Sequence, residues 1–220
     1  SDEFPEWLEP VIISSMPAGD GMMPEFEQPS DHPEIFLEQL GRPAFMSIIA
    51  SHGSHRSVTT CMVNGKPVFL SIEHVRQMES SGIPGPLLML GCNSGRYNAP
   101  EIEGPSLAEA FITHPFGPVA VTSATGPTNP MTNYFYVKEL IRQMQSPPET
   151  LGELFANIQE SLRKKGPAAF EDMQIKDPLA KQLMEAVPER EKKSLKTPQV
   201  LENETKLYNY LGDPLTTLKS

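Results

Sequence analysis

The stretch Phe45-Met46-Ser47-Ile48-Ile49-Ala50-Ser51-His52-Gly53-Ser54 decides how this chain is read. An apolar run stops at a histidine beside a glycine. The pattern recurs at Pro86-Leu87-Leu88-Met89-Leu90-Gly91-Cys92-Asn93-Ser94-Gly95, where the run stops at a cysteine. Short apolar runs bounded by turn residues, with helical stretches between them, read as buried parallel strands. In an open α/β sheet the reactive groups lie just outside the carboxyl ends of such strands. A histidine at one end and a cysteine at a neighbouring end are the two halves of a thiol nucleophile system.

Working outward, Ser57 to Val63 and Lys66 to Leu70 flank Asn64-Gly65, a strong hairpin signal. Pro67 is expected on the outer edge of that hairpin. Ser71 opens a helix that carries Glu73 and Glu79, and the turn at 82–85 leads into the Cys92 strand. Residues 106–113 read as a helix, with Leu107, Ala110 and Phe111 at i, i+3 and i+4. Gly117-Pro118-Val119-Ala120-Val121-Thr122-Ser123 is a third strand, followed by helices at 134–144 and 151–162. Upstream, Val11-Ile12-Ile13 suggests a short strand, Gly19-Asp20-Gly21 a turn, and 33–39 a helix with Asp31 as its cap. The order predicts a doubly wound, mostly parallel α/β sheet flanked by helices, with a small β-hairpin. Residues 167–196 are charged and less regular, and read as an insertion within one domain spanning 1–220.

Composition limits the partners. The chain has 220 residues, net charge -10 and a pI near 5.0. That balance argues against nucleic acid or an anionic membrane as the main partner. Apolar runs stay short of a bilayer span. The chain starts Ser1-Asp2-Glu3-Phe4 without methionine, as expected of a piece processed or excised from a longer chain. Two cysteines, Cys61 and Cys92, do not make a disulfide scaffold, and a bond between them would disable Cys92. CxxC and HExxH patterns are missing, so neither a zinc site nor another cofactor is expected.

The expected chemistry follows from residue types. A cysteine attacks as thiolate and needs a neighbour to take its proton; His52 is that neighbour. The tetrahedral intermediate needs oxyanion donors, and the backbone N–H groups of Gly53 and Cys92 are the natural pair. His55 is a rival base, read as an exposed loop residue. His32 and His114 precede prolines and read as turn residues, and His74 as a helix-surface residue. Cys61, inside the hairpin, reads as structural. Glu101 and Glu103 read as solvated loop charges near the nucleophile turn. Asn203-Glu204-Thr205 matches a glycosylation sequon, a pattern frequent by chance.

At these residues the chain resembles the gingipain family, the C25-type cysteine peptidases of the caspase-like clan. His52-Gly53-Ser54 after an apolar strand is similar to the family's catalytic His-Gly-Ser. Leu90-Gly91-Cys92-Asn93-Ser94-Gly95 is similar to its nucleophile segment. Leu211-Gly212-Asp213-Pro214 is similar to the Gly-Asp-Pro that closes its catalytic domain. Ser106 to Ala110, Val119 to Thr125 and Asn129-Pro130-Met131 resemble the intervening segments. The resemblance implies a caspase-like fold and a cysteine endopeptidase using a Cys92/His52 dyad through an acyl-enzyme, with a peptide or protein as partner. It also implies Thr122, Ser123 and Ala124 at the substrate pocket, a secreted or cell-surface location, and structural calcium. His55-Arg56 stands where gingipains carry an acidic residue, so their Arg/Lys specificity does not transfer. Most of the family's upstream α/β half has no counterpart here. Competing readings are a non-catalytic caspase-like binding domain and an acyl-transferring transpeptidase with the same dyad.

Overall fold

A computed structural model describes residues 32–64, 66–79, 82–97, 104–178, 180–181, 185 and 206–218. The expected strand at 11–13, the turn at 19–21, Asp31, Gly65, Glu101, Glu103 and the sequon at 203–205 lie outside these residues, as does most of 179–196. The described chain forms two compact units. One runs to Pro127 and takes in Tyr208–Asp213; the other begins at Thr128 and includes the segment from Pro214.

The first unit is built on a four-stranded sheet. Strands β1 (Ser47–Ala50), β4 (Leu87–Leu90) and β5 (Ala120–Ala124) run parallel, and β6 (Tyr208–Gly212) closes the order β1-β4-β5-β6 antiparallel to β5. Leu87, Leu88, Met89 and Leu90 are all buried. A strand covered on both faces has no polar side to alternate with, so it reads as a continuous apolar run. β1 is an edge strand, and there Ile48 is 41% exposed while Ile49 is buried. The sheet and helices are those expected from sequence, with one strand added. Tyr208-Asn209-Tyr210-Leu211 carries an aromatic alternation typical of strands, but β6 pairs with a strand more than eighty residues upstream.

The hairpin forms as expected from β2 (Ser57–Val63) and β3 (Lys66–Ser71), with Asn64 left-handed at φ 49° and Pro67 exposed. A register shift lies between Thr59 and Cys61. Helix α1 (His32–Leu40) packs on the hairpin. α2 (Ile72–Arg76) is shorter than expected, so Glu79 lies beyond it. His74 is half-buried instead of lying on the surface: its Nδ1 accepts from the N–H of Ser71 at 3.1 Å, closing a capping box. α3 (Leu107–Thr113) buries Leu107, Ala108, Ala110 and Phe111, as its spacing predicts. Its cap is reciprocal: Glu109 N–H donates to Ser106 Oγ at 3.2 Å, and Glu109 Oε2 accepts from Ser106 N–H at 2.8 Å. Ile49, Val58, Leu70, Ile72, Val75, Leu87, Met89, Leu107, Phe111 and Val121 share one core, so strands, hairpin and helices are held by common apolar burial.

The second unit pairs α4 (Pro130–Met144) with α5 (Leu151–Lys176). Asn129 Oδ1 caps α4 by accepting from Met131 N–H at 2.8 Å, and Pro130 occupies the first turn, where its missing N–H is no loss. α5 runs on past 162 to Lys176, so the stretch read as an insertion starts as continuous helix. No described helix is long and apolar enough to cross a membrane. Between the helices Glu139 is fully buried, and it accepts from Arg142, Gln143 and Lys165, at 2.9 Å from Arg142 Nε and 2.6 Å from Lys165 Nζ. Burial alone would raise its carboxyl, but the hydrogen bonds from Arg142, Lys165, Gln143 and Ser161 outweigh it and hold the group at about 2. Asp177 receives Lys138 Nζ at 2.8 Å and the Tyr134 hydroxyl, which ties α4 to the end of α5.

The Glu139 cluster carries a pH signature. Its folded-state value lies below the unfolded one of about 4.3, so the unfolded chain takes up the proton first and stability is lost as pH falls. Wild type should be more stable than Glu139→Gln at neutral pH. The gap should narrow below about pH 4.3 and close as pH approaches about 2, read as urea midpoints across the range.

Candidate active site

The site residues come from two strand ends. β1 and β4 are neighbours, with Ala50 opposite Leu90, so the segments that follow leave the sheet side by side. Ser51 N–H still reaches Leu90 O at 3.3 Å. Beyond it, the 52–54 segment turns toward β2: Thr59 N–H donates to His52 O at 2.9 Å and Ser54 N–H to Ser57 O at 2.8 Å. These two bonds flank the Gly53–Val58 bridge. In such a narrow antiparallel pair, the paired residue's own N–H points away from its partner strand. Gly53 therefore turns its amide away from Val58.

Gly53 also lies against Cys92. A Cβ built on Gly53 would come 2.8 Å from Cys92 O and 3.1 Å from Cys92 N. One built on Gly91 would come 3.0 Å from Ser51 O. Glycine at 53 is thus required by close backbone approach. The segment carrying His52 lies against the backbone of Cys92. The His52 side chain is exposed and Cys92 is half-buried. Neither cysteine forms a disulfide; Cys61 is buried in the hairpin, and burial raises its thiol pKa.

The turn holding Cys92 is fastened on several sides. Asn93 is left-handed at φ 57°, a conformation asparagine tolerates better than most residues. Asn93 N–H donates to Gly126 O at 3.0 Å and Gly95 N–H to Ala124 O at 2.9 Å, which docks the turn on the end of β5. Ser94 is buried; its Oγ donates to Gly91 O at 3.2 Å, and its carbonyl accepts from Ala108 N–H at 3.0 Å. A cysteine at the head of a turn anchored to both a strand and a helix keeps a fixed position, as a preorganised nucleophile requires.

Thr122, Ser123 and Ala124 are all buried, and strand alternation sends Thr122 and Ala124 to one face and Ser123 to the other. They present no surface to a substrate. A Cβ on Gly95 would lie 2.1 Å from Ser123 Oγ, so Ser123 packs beneath the Cys92 turn. His55 differs from expectation: it is 7% exposed, and buried instead of sitting in an open loop. Its carbonyl accepts from Leu107 N–H, and that hydrogen bond draws it inward. The sequence signal for this was slight, since a histidine in a polar loop carries no periodicity. Among the described residues no three His, Cys, Asp or Glu side chains gather as a metal site.

Residues 45–219 match the sequence model of peptidase family C25. The chain belongs to that family. No curated protein matches it. Among solved structures it is similar to the Arg-specific cysteine proteinase gingipain R (RgpB), with a TM-score of 0.56 and 16% identity over 86% of this chain. It is likewise similar to the complex of the pro- and mature domains of RgpB from Porphyromonas gingivalis, with a TM-score of 0.53, 16% identity and 86% coverage. The chain spans only 37% and 38% of those two chains. At such identity the likeness establishes the fold, the caspase-like α/β architecture expected from the sequence.

The contact between the two strand ends leaves no room for a side chain at 53. Gly53→Ala should cost about 1–3 kcal/mol, as overpacking does in a close-fitted region, read as a lowered urea midpoint. Unchanged stability would mean that the two segments are not in contact in solution.

Proposed function

We propose that this C25-family chain carries the nucleophilic centre of a cysteine endopeptidase acting on peptides or proteins. The observation that carries the reading is the backbone of Gly53 lying against that of Cys92, which brings the His52 and Cys92 segments together. His52 takes the thiol proton of Cys92, and the thiolate attacks the scissile carbonyl. The carbonyl oxygen becomes an oxyanion, and the N–H groups of Gly53 and Cys92 donate to it. The Gly53 N–H takes no part in the pairing with Val58, and that supports its role. The intermediate collapses as the C–N bond breaks. The leaving amine takes the proton from His52, and a thioester to Cys92 remains. Water, giving a proton to His52, hydrolyses that thioester and regenerates the thiol.

Thr122, Ser123 and Ala124 act in this reading from beneath. Ser123 and the backbone of Ala124 form the floor on which the Cys92 turn rests, Thr122 and the Ala124 side chain back it from the other face of β5, and other residues supply direct contacts to substrate. Nothing in that floor offers a charge for a basic substrate side chain. The reaction calls for no cofactor, because the thiolate is itself the nucleophile. A secreted or cell-surface setting accords with the family resemblance.

Cys92→Ala should abolish cleavage of a mixed peptide library, with an unchanged circular dichroism spectrum. His52→Ala should lower kcat/KM by about 100-fold or more, the scale of general acid–base catalysis. Cys61→Ala should leave cleavage near wild type. Cleavage surviving Cys92→Ala would overturn the assignment. Wild-type protein that cleaves no peptide and shows ordinary thiol reactivity at Cys92 would favour a binding domain.

A further inference from the structure

His55 is a buried imidazole that the proposed chemistry does not use. Its carbonyl accepts from Leu107 N–H at 2.8 Å, at the start of α3. Its ring Nε2 faces the carbonyl of Gly104 at 3.4 Å, and since a carbonyl only accepts, Nε2 is the donor. Its Nδ1 is buried with no hydrogen-bond partner among the described residues. Packing alone would be served better by an apolar side chain, which leaves no ring nitrogen unsatisfied.

The location explains what the ring holds. His55 follows the His52-Gly53-Ser54 segment, whereas Gly104 and Leu107 belong to the segment that follows the Cys92 turn. Next in line, α3 grips that turn, with Ala108 N–H donating to Ser94 O at 3.0 Å and Ser94 Oγ donating to Gly91 O at 3.2 Å. Arg56 reinforces the same junction. Its guanidinium pairs with Glu73 at 2.8 Å, and its Nη1 would lie 3.1 Å from a Cβ at Gly104, which is left-handed at φ 89°. A continuous set of hydrogen bonds therefore runs from the histidine segment through His55 and α3 to the turn that carries the nucleophile.

We propose that His55 is a positioning residue that sets the spacing of the His52 and Cys92 segments, and that its Nε2–H bond to the Gly104 carbonyl is the part that does so. The inference rests on the Cys92/His52 reading above. It separates the ring's donor from its bulk. Glutamine at 55 offers an amide N–H at similar reach; leucine fills the space and donates nothing.

The test compares wild type, His55→Gln, His55→Leu, His52→Ala and Cys92→Ala. It measures the rate of Cys92 alkylation by iodoacetamide, kcat and KM for peptide cleavage, and the thermal midpoint. Misplacing reacting groups by about an ångström costs up to about 100-fold in rate, so His55→Leu should lose about tenfold or more in both alkylation rate and kcat. Its KM should stay within about twofold, since only the reacting groups are misplaced. His55→Gln should recover most of both rates. If leucine at 55 prevents folding, His55→Met, which also lacks a donor, takes its place in the comparison. Wild-type rates in the donor-free variant would overturn the proposal. So would equal losses in the leucine and glutamine variants that follow the thermal midpoint. Alkylation needs no peptide, so a chain that cleaves nothing would overturn the peptidase reading while the alkylation rates still decide on His55.

Discussion

The parallel pairing of β1 with β4, in the register that sets Ala50 opposite Leu90, is the constraint on which the site depends. Two parallel neighbours end on the same edge of the sheet. Whatever residue follows one strand must then share space with whatever follows the other. Here those followers are Ser51-His52-Gly53 and Gly91-Cys92, and they approach so closely that a single methyl group at Gly53 would strike the carbonyl of Cys92. Sliding β1 by one residue would separate them and would also turn Ile49 out of the core. Core packing and site geometry are thus set by one register.

Everything around the pair acts to keep that register. The hairpin holds the histidine segment through Thr59 and Ser57, β5 holds the cysteine turn through Ala124 and Gly126, and α3 binds to both through Leu107 and Ala108. Each of these is a backbone hydrogen bond, so the strands and helices that frame the site meet through contacts that do not depend on side-chain identity. That is how a chain only 16% identical to gingipain R keeps its fold.

Charge is managed separately in the α4–α5 unit. Glu139 is a buried carboxylate made tolerable by the donors converging on it, and Asp177 plays a similar part for Tyr134 and Lys138. A lone buried carboxylate would be expensive, but one with several charge-assisted bonds specifies how two helices face each other. The acidic composition noticed in the sequence describes the protein's surface; these inner carboxylates do structural work that a net charge does not reveal.

By itself the sequence determined the local elements and the two reactive ends. The run Leu87 to Leu90, the Asn64-Gly65 turn and the spacing of Leu107, Ala110 and Phe111 are short-range signals, and short-range physics is what periodicity and turn chemistry record. It also singled out His52, Gly53 and Cys92, because a reactive residue beside glycine at a strand end is a local pattern. Only the tertiary structure decided the rest. β6 is a strand because β5 offers it an edge, the burial of His55 follows from a hydrogen bond to a helix some fifty residues away, and Thr122 and Ala124 are covered because their strand is interior. α5 likewise continues through Gly166 and Pro167, where residue preferences predict a stop. Each of these depends on partners distant in the chain, and a sequence read residue by residue does not contain the distance between them.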